Sequence, residues 1–326
     1  MHITDKSLNP RQIFIVWMKL VRLPNIIILA AIFILLHVGV YMPVYASLNV
    51  AMPMNGWVFG VFVLSVCMIA AGGNVINDYF DYQIDLINKP EKLIIEKLIP
   101  KQSAMTGYMI LTLTGIAGGF VTGWLLGEFK LGFFFCFGAL MLYMYSESYK
   151  QKLWIGNLII ALLGFLFILL LWIVEFFALR QSEGSFVVVY PSLLKISVLM
   201  GGYAVFAFLT TFIREIIKDM EDVKGDKKNG CQTIPIVKGI PAARKIVSGL
   251  IVFTILLLFY CAYLCGKHNL HALATVLMCV INVQLILLLI RFYKAKSKAE
   301  FFTVSIYMKV IMVFGILSIL LINLHS

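Results

Sequence analysis

Nine separate runs of apolar residues, each close to the length of a bilayer-spanning helix, constrain this 326-residue chain more than any other feature. One crossing takes about 20 residues of helix. The runs cover residues 26–44, 57–76, 105–126, 131–145, 154–179, 193–213, 246–265, 271–290 and 304–322. The fourth is short and must recruit flanking residues, and Lys309 in the ninth has a stem long enough to carry its ammonium to the interface. The expected fold is all-α: a polytopic membrane protein with nine transmembrane helices in one bundle, a single domain over residues 1–326.

Composition agrees. Hydrophobic residues make up 61% of the chain and charged residues 13%, with a mean hydropathy of +0.96. A soluble domain needs roughly a quarter of its residues charged. The formal charge of +11 would suggest nucleic acid in a soluble protein, but here its placement gives it another meaning, and no nucleic-acid partner is expected. Of the 27 lysines and arginines, 22 lie in the N-terminal segment (from Lys6) and in alternate connections. The opposite connections hold only Lys130, Arg180 and Lys267. By the positive-inside rule, the N-terminus is cytoplasmic and the C-terminus outside, as expected of a multi-pass cell-membrane protein.

Residues 12–21, ahead of Pro24, read as an amphipathic helix lying in the interface, and no cleavable signal is expected before it. The six cysteines lack metal-like spacing and read as packing residues. His2, His37, His268, His271 and His325 do not cluster, so packing or helix-end roles are expected, and Glu175 is expected at the outer interface.

The acids are informative because they are scarce: eight of sixteen fall in two short stretches. Asp78, Asp81 and Asp85 follow the second run; Glu215, Asp219, Glu221, Asp222 and Asp226 follow the sixth. Asp78, Asp81 and Asp85 step by three and then four, as do Asp219, Asp222 and Asp226, with Asn74 and Glu215 each four residues earlier. On a helix such steps stack side chains on one face. Crowded carboxylates at a membrane boundary need a neutralising cation. All-oxygen ligands with no histidine or cysteine favour Mg2+, which is often shared with substrate phosphates. Interleaved Lys89, Lys92, Arg214 and Lys218 suit phosphate oxygens.

Asn77 to Asp85 followed by Ile87-Asn88-Lys89-Pro90, and Lys218 to Asp226 followed by Thr233-Ile234-Pro235, resemble the two aspartate-rich motifs of the UbiA-type intramembrane prenyltransferase superfamily. The resemblance covers the whole chain and includes Gly156-Asn157 at the start of the fifth run. The Arg214-Glu215-x-x-Lys218-Asp219 form is similar to the branch of geranylgeranylglycerol-phosphate geranylgeranyltransferases. The resemblance implies motif loops at about 77–103 and 214–241 over the active site. It implies a catalytic set of Asn77, Asp78, Asp81, Asp85, Asp219, Asp222 and Asp226, of which Asn77, Asp81, Asp85, Asp222 and Asp226 would hold Mg2+ and Asp78 and Asp219 assist. Arg22, Asn25, Lys89, Lys92, Tyr145, Lys150, Arg214 and Lys218 are the substrate-binding candidates, with Lys150 preferred over Lys152. Where the superfamily commonly has an arginine and a Pro-Ser-Gly turn, this chain has Lys92 and then Leu93-Ile94-Ile95, so the bidentate fork is lost.

The implied partners are an isoprenyl diphosphate, geranylgeranyl diphosphate in the branch named, a lipophilic acceptor and the bilayer itself. Phe134, Phe135, Phe137, Phe165 and Phe208 are candidates for an apolar, water-excluding pocket. Transfer to an aromatic ring, as in quinone biosynthesis, is the alternative within the class. A cation-coupled transporter is the alternative outside it, but such sites are expected near the bilayer midplane on broken helices.

Overall fold

The computed structural model describes residues 9–322; His2, Lys6 and His325 lie outside them. Among the described residues there are nine helices long and apolar enough to cross a membrane: Leu23–Ser47, Gly56–Phe80, Lys101–Leu125, Phe129–Glu147, Ile155–Arg180, Glu183–Lys228, Ile240–Lys267, His271–Lys294 and Lys298–Leu321. They are called the first to ninth spans. No strand occurs among the described residues, only an isolated bridge between Ile95 and Ile99. The fourth span does recruit flanking residues at both ends. The sixth departs most from its apolar run, because Leu193–Lys228 is a single α-helix of 36 residues. That is about 54 Å of helix, against a hydrocarbon core of about 30 Å. Residues 214–228 contain no proline and only one glycine, Gly225, with lysine the commonest residue, so little stops the helix at the end of the apolar stretch.

The N-terminal helix Pro10–Leu20 is fixed by a capping box between Asn9 and Gln12. It leaves Ile13, Phe14 and Ile15 exposed while burying Val16 and Leu20. Arg22 then adopts φ 56°, the left-handed region, which ends this helix before the first span begins at Leu23.

The chain groups into two compact units. One contains residues 9–30, Gly56–Lys150 and Lys228–Gly230; the other contains Ala31–Asn55, Gln151–Lys227 and residues 231–322. In the first unit, spans two, three and four pack through small residues. A Cβ on Gly115 would lie 2.8 Å from the carbonyl oxygen of Ser65, and one on Gly72 would lie 2.5 Å from Thr112 Oγ1. Without a hydrophobic drive between helices in lipid, such close backbone approach is what holds spans together.

In the second unit Arg244 closes the end of the eighth span. Its guanidinium donates to the carbonyls of Phe292 at 2.6 Å, Tyr293 at 2.8 Å and Ala295 at 2.5 Å, satisfying acceptors the helix leaves open. The ninth span starts on a Ser297–Glu300 capping box. An apolar cavity of about 120 Å3 lies among spans six to nine, with Tyr203, Phe206, Cys261, Leu277 and Gly315 in its wall. The acids of the sixth span begin about 13 Å further along that helix than Phe206.

Glu175, near the outer end of the fifth span, is fully buried against protein and bonded to His37 Nδ1 at 2.6 Å. A carboxyl group facing protein rather than lipid can keep a partner inside the bilayer, and the imidazole's role is to supply it rather than to pack.

Candidate active site

In the first unit the acids sit on a helix that continues almost unbroken past the membrane boundary. Asp81 N–H bonds to the Asn77 carbonyl at 2.9 Å and Asp85 N–H to the Asp81 carbonyl at 2.8 Å. The short helix Tyr82–Asn88 therefore keeps the i, i+4 register of the second span, with only a shallow turn at Asp81 (φ −75°, ψ −4°). This register puts Asn77, Asp81 and Asp85 on one stripe. Asn77 Nδ2 donates to Asp81 Oδ2 at 2.7 Å, and Lys150 Nζ donates to the same oxygen. Arg22 Nη2 donates to Asp78 Oδ1 at 2.5 Å.

Arg22 reaches Asp78 because its backbone is held from the same helix. Asn74 Nδ2 donates to the carbonyl of Val21 at 2.9 Å, one turn before Asp78. Asn74 thus positions the arginine, a role that its place in the acidic stripe, four residues before Asp78, signals only in part.

Both cations belong electrostatically to the motif. Burial works against the charge on Arg22, but Asp78, by charge and hydrogen bond, and then Asp81 and Asp85 raise its pKa above the ordinary value. Burial likewise opposes the charge on Lys150, but Asp81, by charge and hydrogen bond, together with Tyr145 and Asp85 raises its pKa above the ordinary value. Asp85 is also raised, first by burial and then by the charge of Asp81, against Lys150 and Lys89, which lower it. Tyr145 is 7% exposed and lies within range of Lys150. Lys89 caps the short helix and Lys92 ends the 3-10 turn that follows. Asn25 opens the first span's first turn, its N–H bonded to the Arg22 carbonyl.

In the second unit the other acids stand on the unbroken helix Leu193–Lys228. Glu215 accepts from Arg214 at 2.9 Å and from Lys218 at 3.0 Å, so the two local cations serve one acid on their own helix. Asp219 accepts from Asn157 Nδ2 at 2.8 Å. Asp222 is half-buried and Asp226 buried, and the backbone carbonyl of Asp226 takes the N–H of Cys231 at 2.9 Å. Asn157 belongs to the Gly156-Asn157 pair of the family resemblance, but the sequence alone assigns it no role.

Among the described residues no three His, Cys, Asp or Glu side chains converge closely enough to hold a metal ion. Mg2+ takes one or two carboxylates, keeps several waters and shares the rest of its shell with substrate phosphates. The donors in the first motif are all oxygens: the carboxylates of Asp81 and Asp85 and the amide oxygen of Asn77, whose nitrogen is the group turned to Asp81.

The aromatic candidates divide. Phe135 is buried, edge-on to Phe62 at 6.1 Å, and is a packing residue. Phe134 and Phe137 are exposed on the fourth span and so do not line a closed pocket. Phe208 stacks on Phe212 at 5.9 Å.

The sequence profile of the UbiA prenyltransferase family matches residues 38–313. The chain belongs to that family. Among curated members, the digeranylgeranylglyceryl phosphate synthase of Methanosphaera stadtmanae is 31% identical over 272 residues, covering 80% of this chain and 86% of that enzyme. The synthase of the same name from Thermococcus sibiricus is 35% identical over 185 residues, 56% of this chain and 57% of that protein. The match thus spans little more than half the length of the latter.

A solved structure of digeranylgeranylglyceryl phosphate synthase superposes with a TM-score of 0.61 at 25% identity, covering 96% of this chain and 99% of that one. A UbiA homolog from Aeropyrum pernix gives 0.60 at 16% identity, covering 87% and 95%. A UbiA homolog from Archaeoglobus fulgidus, bound to DMAPP and Mg2+, gives 0.53 at 16% identity, covering 93% and 98%. The last two share the fold with this UbiA family member, a multi-pass membrane protein.

Proposed function

We propose that this UbiA family member transfers a geranylgeranyl group from its diphosphate to a hydroxyl of a prenylated glycerol phosphate, giving an ether lipid. The reading of the acceptor rests on one observation above the others: the digeranylgeranylglyceryl phosphate synthase relative that is matched over 86% of its own length. In this reaction the allylic C–O bond breaks and the diphosphate leaves with the electron pair. The acceptor oxygen then forms the new C–O bond and gives up its proton.

Asn77, Asp81 and Asp85 in one unit and Asp222 and Asp226 in the other are the residues proposed to hold Mg2+. The bound ion supplies charge stabilisation to the departing diphosphate. Arg22 and Lys150, which neutralise Asp78 and Asp81, are placed to bind phosphate oxygens once the carboxylates have another cation. Asn157 holds Asp219 in one orientation. Lys89, Lys92, Arg214 and Lys218 add positive charge near the acids, and Tyr145 supports Lys150. The 22 basic residues on one face support a cytoplasmic N-terminus and a site opening to the cytoplasmic side.

The test uses purified protein in nanodiscs with labelled geranylgeranyl diphosphate, Mg2+ and geranylgeranylglyceryl phosphate, reading diphosphate release and the mass of the lipid product. Formation of the ether lipid, lost in both Asp81→Ala and Asp222→Ala, supports the reading. Turnover undiminished in these variants, or prenylation of an aromatic acceptor alone, overturns it.

A further inference from the structure

Within the second unit, a polar cluster between the first and fifth spans takes no part in the chemistry above. The first span contains a π-helical turn, His37–Tyr41, closed by the Met42 N–H on the His37 carbonyl. Such turns change the spacing of side chains along a helix and recur at functional sites. From this stretch His37, Tyr41 and Tyr45 all come within electrostatic range of one carboxyl group, Glu175 of the fifth span. His37 Nδ1 and Glu175 Oε1 are 2.6 Å apart, and one proton shared between them leaves the pair neutral overall.

The rest of the carboxyl group is not accounted for. Glu175 is fully buried and Tyr41 is 2% exposed, yet among the described residues Glu175 Oε2 and the Tyr41 hydroxyl have no hydrogen-bond partner. Leaving either dry in hydrocarbon costs about 1–3 kcal/mol. A small occupant that both donates and accepts removes both costs, and buried waters do so where two or more polar atoms surround them.

We infer that Glu175 Oε2 and the Tyr41 hydroxyl bind one water molecule between them, forming a hydrogen-bonded chain from His37 through Glu175 and the water to Tyr41 that fastens the first span to the fifth. The water accepts from the phenol and donates to the carboxyl oxygen, so every member of the chain is satisfied. Tyr45, 1% exposed and with its ring centroid 6.2 Å from that of Tyr41, closes one side of the site.

The sign of a thermal shift separates a wet site from a dry one. In Tyr41→Phe the shape is kept and only the hydroxyl is lost. A bridging water predicts a fall of several degrees in the detergent unfolding midpoint, with prenyl transfer retained. A dry site predicts no change or a rise, because an unsatisfied polar atom has been removed, and either result overturns the inference. Repeating the change in a Glu175→Leu background gives a second reading. There the Tyr41→Phe fall should vanish or reverse, and an undiminished fall refutes the link through Glu175. If the Glu175→Leu protein does not fold, the sign of the Tyr41→Phe shift alone decides.

Discussion

The two acidic motifs share a spacing but are supported in different ways. In the first, the acids are met by cations brought from distant parts of the chain: Arg22 for Asp78, and Lys150 for Asp81. In the second, Arg214 and Lys218 turn to Glu215 on their own helix, and Asp219 is held from a distance by the uncharged amide of Asn157. Equal spacing therefore does not mean equal chemistry. The first motif carries its counter-charges with it, and a diphosphate can recruit those cations. In the second, cations of the same helix lie on Glu215.

The largest effect expected is from chelation: EDTA should abolish transfer by both motifs together, and added Mg2+ should restore it, measured as labelled ether-lipid product. Next, Asp81→Ala and Asp222→Ala should each cost about 100- to 1,000-fold in turnover. A much smaller loss at Asp222 would break the idea that both motifs hold metal. Lys150→Ala should cost about 10- to 100-fold and weaken donor binding, as expected for a charged hydrogen-bond donor, while Lys152→Ala should stay within about two-fold. Isothermal titration with a non-hydrolysable diphosphate analogue reads that difference directly. Asn157→Ala should show the smallest loss, about 10-fold and chiefly in Mg2+ affinity. An effect on donor binding at constant Mg2+ affinity would instead place Asn157 among the phosphate contacts.

Much of this arrangement is legible in the residues. Apolar runs announce all nine spans because a bilayer leaves the backbone few alternatives to helix. The two motifs stand out because acids are rare elsewhere in the chain. Lys150 and Arg22 are both recognisable as candidates, but not their partners: Arg22 is 56 residues from Asp78, and Lys150 is 69 from Asp81. The His37–Glu175 pair, 138 residues apart, is hidden for the same reason, since no local pattern ties two isolated polar residues together. The length of the sixth helix is missed because hydropathy reports where lipid ends, whereas helix propensity decides where the helix ends. The grouping into two units has no signature of composition at all, the division at Ala30 and Ala31 falling within an apolar run.

The unbroken helix Leu193–Lys228 has a mechanical consequence. A span answers a change in bilayer thickness by tilting, and a continuous helix works as a stiff lever whose far tip moves most. The acids of the second motif ride on that tip. In the first motif Asn77 and Asp78 belong to the second span's own helix, and only Asp85 lies beyond the shallow turn at Asp81. Lipid chain length thus becomes a variable that reaches the second motif's carboxylates through the tilt of a single stiff helix.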